Sequence, residues 1–571
     1  MKKILFIPLL FMAICLSAAP MGEKKAREIA ESFFSSVGTR SVGQSLELEY
    51  VAGFFGTENV FVYNRAGGGF AVIAGDDRFT PVIAYSYENS FDSENMPDAA
   101  RHLLDCWAKQ IHAGRIPTNI YSDTPSVGNT VVKYDTPLWN QGEPYNREAP
   151  VINNRRCVTG CVATALSIVL YHNRWPEKGS GILPSYSYEL QGFGKLTIPS
   201  NTLGRKYDYD NMLSDYNNGY NDVQANAVAA LMKDMGSAVQ MAYGPDASSA
   251  GSDLIPRVLS QYFSYSKSSR LVLAASYDDR GWTEAMQQNI SAYGPTYVAG
   301  HSDAGGHAFV ADGYTDRGYI CFNFGWGGNS NGWYLMPSIE YNGGQNAVFG
   351  LVPDRDGTST YKDVLSLYSY NDGQNQYNGL KARSYDFIPG AECSISMMAL
   401  VNSGQVDFNG KFKISVCSKF GIVKSDLTPE VKVDRLEPMY LIGYEQLGVV
   451  LPSDIAEGDR VRVLYKGEYS DSWNWARKFD EDAFDEIILC PTPEELAESM
   501  KLAYSKTTKM LTFSSIYSIE WSLKDSASST LASGNTKASG QVEIDVSTLQ
   551  SGSYHLSVSS GGRPYELILT F

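Results

Sequence analysis

The sequence predicts an α+β protein with all-β domains added at its C-terminal end, and three observations carry that prediction. The stretch from Cys161 to His172 is apolar or small at nearly every position and reads as a helix buried on all faces. Two apolar runs, His307–Tyr314 and Gly318–Phe324, flank Thr315-Asp316-Arg317 and read as an antiparallel hairpin with a three-residue turn. Beyond residue 356, alternating strands between turn signals, such as Gly410–Val416 and Arg460–Tyr465, suggest β-sandwich packing.

At 571 residues the chain exceeds what one core holds, so several domains are expected. The hydrophobic share of 43% and charged share of 19% are those of folded protein. A net charge of −16 supplies no basic face, which sets aside nucleic-acid binding. Residues 1–19 read as a Sec signal peptide: Lys2 and Lys3, an apolar run from Ile4 to Leu16, then Ser17-Ala18-Ala19. This predicts a secreted or cell-surface protein, with periplasmic or outer-membrane association open. Cys15 suggests a lipoprotein, but the bulky Ile14 before it argues against one. No later segment has the roughly 18 apolar residues of a membrane span.

Residues 20–125 read as a compact α+β unit, with helices over Ala26–Phe34 and Ala99–Ala113 and strands at Phe61–Asn64, Phe70–Ala74 and Pro81–Tyr85. Ile116 to Lys133 is rich in Pro, Ser, Thr, Asp and Gly and reads as an exposed linker. Residues 126–355 hold the candidate chemistry, with a further helix over Asn221–Ala238. Residues 356–492 read as an Ig-like β-sandwich, and 493–571 as a last β unit opened by a short helix or linker at Pro493–Met500.

The chemistry starts at the Cys161 helix. Thr159 reads as its N-cap and Gly160 as the turn, which leaves Cys161 in the first turn beside unpaired N–H groups and the positive helix end. That setting favours a thiolate nucleophile. His307 follows at the separation of roughly 130–150 residues typical of a Cys-His-Asn set, with Asn323 shortly after. With a three-residue turn, Phe309 faces Asn323, and His307 becomes the diagonal neighbour of Asn323 on the same face; a one-residue slip would separate them. In this reading Cys161 is the nucleophile and His307 the general base and acid, while Asn323 orients the imidazole. Gln141 and the Cys161 N–H supply the oxyanion hole, and Trp326 shields the His–Asn bond.

Rival groups fit less well. Cys157 precedes the helix and lacks its dipole, and His301 lies ahead of the hairpin. His172 reads as structural, bonded to a carbonyl near the helix end, and Cys321 as a core residue opposite Ala311. Seven cysteines after the signal are sparse and odd in number, so at least one is unpaired within the chain. No zinc spacing is present, and neither a metal nor a cofactor is expected.

At these motifs the sequence resembles the streptopain-like cysteine peptidases, secreted bacterial relatives of papain. The resemblance rests on Trp139-Asn140-Gln141 with Pro144-Tyr145-Asn146, on Thr159-Gly160-Cys161-Val162-Ala163-Thr164-Ala165, on Gly306-His307-Ala308-Phe309-Val310, and on Asn323-Phe324-Gly325-Trp326-Gly327-Gly328. Phe324 stands where the resemblance places a Trp. The resemblance implies a papain-like catalytic domain with a helical half and an antiparallel β half. It assigns the same roles to Cys161, His307, Gln141, Asn323 and Trp326. It also implies that the N-terminal unit, with Gly69–Asp77, is an inhibitory propeptide acting on its own chain. The expected function is a secreted zymogen of a cysteine endopeptidase acting on protein and peptide substrates. A catalytically dead surface adhesin or binding protein, and a thiol-dependent amidase or acyltransferase, are the alternatives. Leu549–Tyr554 resembles the tails of exported bacterial β-sandwich proteins, which leaves sorting, cell-surface attachment and simple stabilisation open for the C-terminal β-domains.

Overall fold

The computed structural model describes residues 21–570 apart from 37–44, 113–126, 303–304, 337–342 and the single positions 55, 78, 95, 97, 278, 372, 481 and 506. The signal peptide expected at 1–19 and most of the expected linker lie outside the described residues. Two compact units divide the chain, one ending at Tyr361 and the other beginning at Lys362.

The first unit opens with helix α1 (Glu23–Ser36), whose Ala26, Ala30, Phe33 and Phe34 recur at helical spacing and are buried. A meander follows: β1 (Leu46–Phe54), β2 (Thr57–Arg65), β3 (Phe70–Ala74) and β4 (Val82–Ser86). Helix α2 (Asp98–His112) then buries Leu104, Trp107, Ala108 and Ile111. Strand β5 (Thr130–Lys133) leads to helices α3 (Cys161–Asn173), α4 (Asp222–Ala238) and α5 (Ile255–Phe263). Strand β6 (Arg270–Leu273) and helix α6 (Asp279–Tyr293) come next. The run closes with β7 (Thr296–Ser302), β8 (Gly305–Thr315), β9 (Tyr319–Asn323), β10 (Gly332–Leu335) and β11 (Gly343–Phe349).

These strands form one sheet of eleven, in the order β1-β2-β3-β4-β10-β9-β8-β7-β11-β6, with β5 also paired to β8. The N-terminal meander therefore continues the sheet that carries the hairpin. The joint is antiparallel, with Tyr85 opposite Trp333 and Ala84 opposite Tyr334. Apolar residues from both sides of the joint share both faces. Trp107 packs into a core with Phe309, Phe322 and Tyr334, and Phe33 and Tyr85 into another with Tyr319 and Trp333. Helix α3 lies in a third core with Ala308 and Val310 of β8 and Met235 of α4.

Two local expectations are corrected. The residue capping α3 is Gly160 and not Thr159, and no side chain caps the helix. Gly160 holds φ at 85°, in the left-handed region, and a β-carbon there would stand 2.6 Å from Met241 Sδ. The Thr159 hydroxyl pairs instead with that of Thr164 at 2.9 Å, and Thr164 Oγ1 donates to the Gly160 carbonyl at 3.0 Å. The other correction concerns the hairpin. Ala311 pairs with Phe322 but Gly313 with Cys321, so Asp312 is an extra residue, a β-bulge. The shift sets Asn323 opposite Val310 rather than Phe309. Nearer the turn, which is Asp316-Arg317-Gly318 rather than Thr315-Asp316-Arg317, Tyr314 pairs with Ile320, and Cys321 stands opposite Gly313 rather than Ala311, still buried in the core. One step of slip turns a side chain to the other face, so Asn323 leaves the face of His307.

In the second unit, a five-stranded sheet on Glu392–Asn402 and a six-stranded sheet on Phe408–Cys417 and Arg460–Gly467 enclose Leu400, Phe412, Ile414 and Val463. The helix Pro493–Ser499, capped reciprocally by Thr492 and Glu495, precedes a pair of smaller sheets around Leu511, Phe513, Leu523 and Leu556.

Trp333 is 7% exposed and stacks on Tyr85 at 6.2 Å across the β4–β10 joint. Trp333→Ala is expected to destabilise the first unit by about 3–5 kcal/mol, the usual range for a buried aromatic. Urea unfolding followed by tryptophan fluorescence measures it.

Candidate active site

The loop from Trp139 to Asn146 is fastened from several directions. Buried Trp139 donates Nε1–H to the Leu213 carbonyl at 2.8 Å, and Asn146 Nδ2 donates to the Cys157 carbonyl at 2.9 Å. The Gln141 carbonyl accepts the Thr159 N–H at 3.0 Å, which ties Gln141 to the start of α3 and leaves its side chain half-buried. Cys157 is fully buried in the α3 core, while His301 is exposed on β7 opposite Gly306. The His172 Nδ1 lies 3.1 Å from the Asp135 carbonyl.

Cys161 is the first residue of α3, and its thiol meets the backbone N–H groups of Val162 and Ala308, the latter belonging to the residue after His307. Burial pushes the thiol pKa up, while those donors pull it down; burial prevails. His307 is 7% exposed. Its Nε2 donates to the Phe324 carbonyl at 2.9 Å, and its ring stacks on Trp326 with centroids 4.7 Å apart. A carbonyl only accepts, so Nε2 carries the proton in the neutral ring and Nδ1 is the basic nitrogen. Burial lowers the imidazole pKa to about 4, with the Phe324 carbonyl acting weakly in the opposite direction.

Asn323 does not take the place expected of it. It is 1% exposed, its Nδ2 donates to Thr136 Oγ1 at 3.0 Å and to the Pro137 carbonyl at 2.9 Å, and its Oδ1 accepts the Gly325 N–H at 3.1 Å. The physical reason is the bulge at Asp312, which moves Asn323 off the His307 face. The group that holds the imidazole is the next residue's carbonyl. Trp326 accordingly covers the ring itself rather than a His–Asn bond.

Three contributors escaped the sequence reading: the Phe324 carbonyl, Thr136, and Asn331, whose Oδ1 accepts the Phe324 N–H at 2.9 Å. A backbone group leaves no trace in residue identity, and Thr136 and Asn331 belong to none of the motifs that carry the chemistry. Among the described residues, no three His, Cys, Asp or Glu side chains converge as metal ligands.

Comparison with known proteins identifies the family of this chain. The Peptidase C10 family model matches residues 139–334, and the Spi protease inhibitor model matches residues 18–111. A streptopain of Streptococcus pyogenes is 31% identical over 369 residues, covering 58% of this chain and 92% of its own length. The thiol protease/hemagglutinin PrtT of Porphyromonas gingivalis is 30% identical over 392 residues, covering 62% of this chain and 44% of its own length. A solved fragment of prointerpain A from Prevotella intermedia is 27% identical, covers 54% of this chain and 99% of that fragment, and gives a TM-score of 0.45. The Peptidase C10 match and the streptopain relative, covered over 92% of its length, define a cysteine peptidase, a hydrolase of peptide bonds. The chain belongs to the Peptidase C10 family.

Two outcomes follow from the site. Between pH 6.5 and about 4 the unfolded chain binds a proton at His307 that the folded chain does not. Stability is therefore full above pH 6.5 and falls as the pH drops toward 4, by roughly 3 kcal/mol. Urea unfolding of the Cys161→Ala chain is expected to show that loss, and a further His307→Asn change to remove most of it. Gly160→Ala meets both the positive φ and the buried Met241, and is expected to lower stability by about 1–3 kcal/mol with a shifted Cys161. Thermal unfolding and the rate of Cys161 alkylation report both effects.

Proposed function

We propose that Cys161 and His307 are the nucleophile and the acid–base pair of this endopeptidase, and that the chain is a secreted zymogen. The observation that carries the reading is the Cys161 thiol at the first residue of a buried helix, against the N–H of the residue that follows His307. Cys161 Sγ attacks the scissile carbonyl while His307 Nδ1 takes the thiol proton and then delivers it to the leaving amine. The developing oxyanion is held by the Cys161 N–H and the Gln141 amide. Water then hydrolyses the thioester and restores the thiol. The Phe324 carbonyl and the Trp326 ring hold the imidazole, while Asn323 acts one step removed, through the loop backbone.

A zymogen reading is supported by a continuous aromatic run from the N-terminal unit to the base. Trp107 of α2 lies 6.0 Å from Tyr334, Tyr334 5.3 Å from Phe324, Phe324 4.9 Å from Trp326, and Trp326 4.7 Å from His307. Asn89 Nδ2 also donates to the carbonyl of Asn331, the residue that holds the Phe324 N–H. With the thiol pKa raised and the imidazole pKa lowered, both groups are neutral near pH 7, the resting condition expected of a latent enzyme. In this account residues 1–19 direct export, 20–125 are the propeptide and 126–355 the peptidase. We propose sorting or cell-surface attachment for the β-domains at 356–492 and 493–571, on the likeness of Leu549–Tyr554 to the tails of exported bacterial β-sandwich proteins.

The test compares the chain from Met21 with its Cys161→Ala and Gln141→Ala forms. Wild type is expected to shorten to an N-terminus within residues 116–138 and to cleave a fluorogenic peptide. Cys161→Ala is expected to stay full length and inactive, and Gln141→Ala to lose about 10²–10³ in kcat. An unshortened, unreactive wild type would remove the zymogen reading, and an active Cys161→Ala would remove the nucleophile.

A further inference from the structure

Upstream of the residues matched by the peptidase family, strand β5 and its continuation run beside β8. Val132 pairs with Tyr314 and Lys133 with Gly313, and the Tyr134 N–H donates to the Asp312 carbonyl at 2.7 Å. The pairing brings two side chains to the bulge. Lys133 Nζ donates to Asp312 Oδ2 at 3.0 Å, and Thr136 Oγ1 donates to the same oxygen at 2.5 Å. Asp312 is 2% exposed, and the adjacent ammonium offsets the desolvation of its carboxylate.

The polarity of this chain of hydrogen bonds is fixed from the carboxylate outward. An ionised carboxylate only accepts, so the Thr136 hydroxyl must point its hydrogen at Asp312 and turn a lone pair to Asn323 Nδ2. That sets the amide of Asn323 with its oxygen toward the Gly325 N–H. Gly325 lies between the two residues that hold His307: Phe324, whose carbonyl takes the Nε2 proton, and Trp326, which stacks on the ring.

We propose that Asp312 and Thr136, with Lys133 as counter-ion, are positioning residues of the peptidase, which fix the Asn323 amide and through it the loop that orients His307. Residues 130–137, which precede the family match, are then a working part of the catalytic unit, so the mature N-terminus falls in the 116–129 part of the 116–138 window. The proposal rests on the role given to His307 above. Its charge lies on a bulge residue, which explains why the same residue that turns Asn323 away from the imidazole also supplies the anchor that makes Asn323 useful.

The experiment measures kcat and KM on a fluorogenic peptide for Thr136→Val, Thr136→Ser, Asn323→Asp and His307→Ala, each introduced into the full chain and assayed per mole of mature product. Valine keeps the shape of threonine and removes both its donor and its acceptor. Thr136→Val is expected to lower kcat at least tenfold with KM within twofold of wild type, and Thr136→Ser to stay within threefold of wild-type kcat. Asn323→Asp keeps the acceptor for Gly325 but cannot donate to Thr136, so it is expected to match Thr136→Val and carries the test if the valine form fails to fold. Wild-type kcat in the valine form, or equal losses in the valine and serine forms, overturns the proposal; so does wild-type kcat in Asn323→Asp. Full activity in His307→Ala would instead overturn the reading of the site on which the proposal depends.

Discussion

The geometry of this peptidase turns on one extra residue in one strand. Asp312 bulges out of β8, and beyond it the pairing with β9 moves by one position. Because side chains alternate along a strand, that single step decides which face each residue of β9 serves. Phe322 and Phe324 fall into the core beside His307, while Asn323 turns to the opposite side and bonds to Thr136, Pro137 and Gly325. The imidazole is then oriented by a carbonyl on a loop that Asn323 braces. A backbone acceptor meets the ring, and the Asn323 side chain bonds to the backbone beside that acceptor.

The same sheet explains how distant parts of the chain bear on that ring. A meander formed by residues 46–86 joins the edge strand at Gly332–Leu335 and buries apolar side chains on both faces of the joint. Burial of this extent is the main source of folding free energy, so the two sides are coupled through packing. The aromatic run ending on His307 crosses the joint inside one of those cores. Imidazole burial, and the depressed basicity it brings, thus belongs to a larger packed unit than the hairpin alone.

Much of this was legible in the residues. Nine successive buried positions from Val162 to Leu170 reproduce the all-apolar pattern of α3, and both helices and three of the four strands of the N-terminal meander unit lie where the sequence placed them, β1 being missed. The order of the cysteine, histidine and asparagine motifs was equally plain. Register was not. A bulge adds one residue to one strand, and its only local cue here, Gly313 inside a strand pattern, does not by itself fix the register beyond it. The cap of α3 was misread for a related reason. Thr159 has the right chemistry, but Gly160 alone tolerates both the positive φ and the close approach of Met241, a tertiary contact that the local sequence does not contain. Likewise, the acceptor for His307 is a main-chain oxygen, which any residue at position 324 would supply.

His307 is held through Nε2 by a carbonyl inside an apolar stack, and not by an amide side chain in a wetter setting. Nitrogen-15 NMR of the imidazole in the unprocessed Cys161→Ala chain, assigned by comparison with a His307 variant, tests it most directly. The neutral ring is expected to be the Nε2–H tautomer, with a titration midpoint near 4. An Nδ1–H tautomer, or a midpoint at or above the ordinary histidine value of about 6.5, would contradict it.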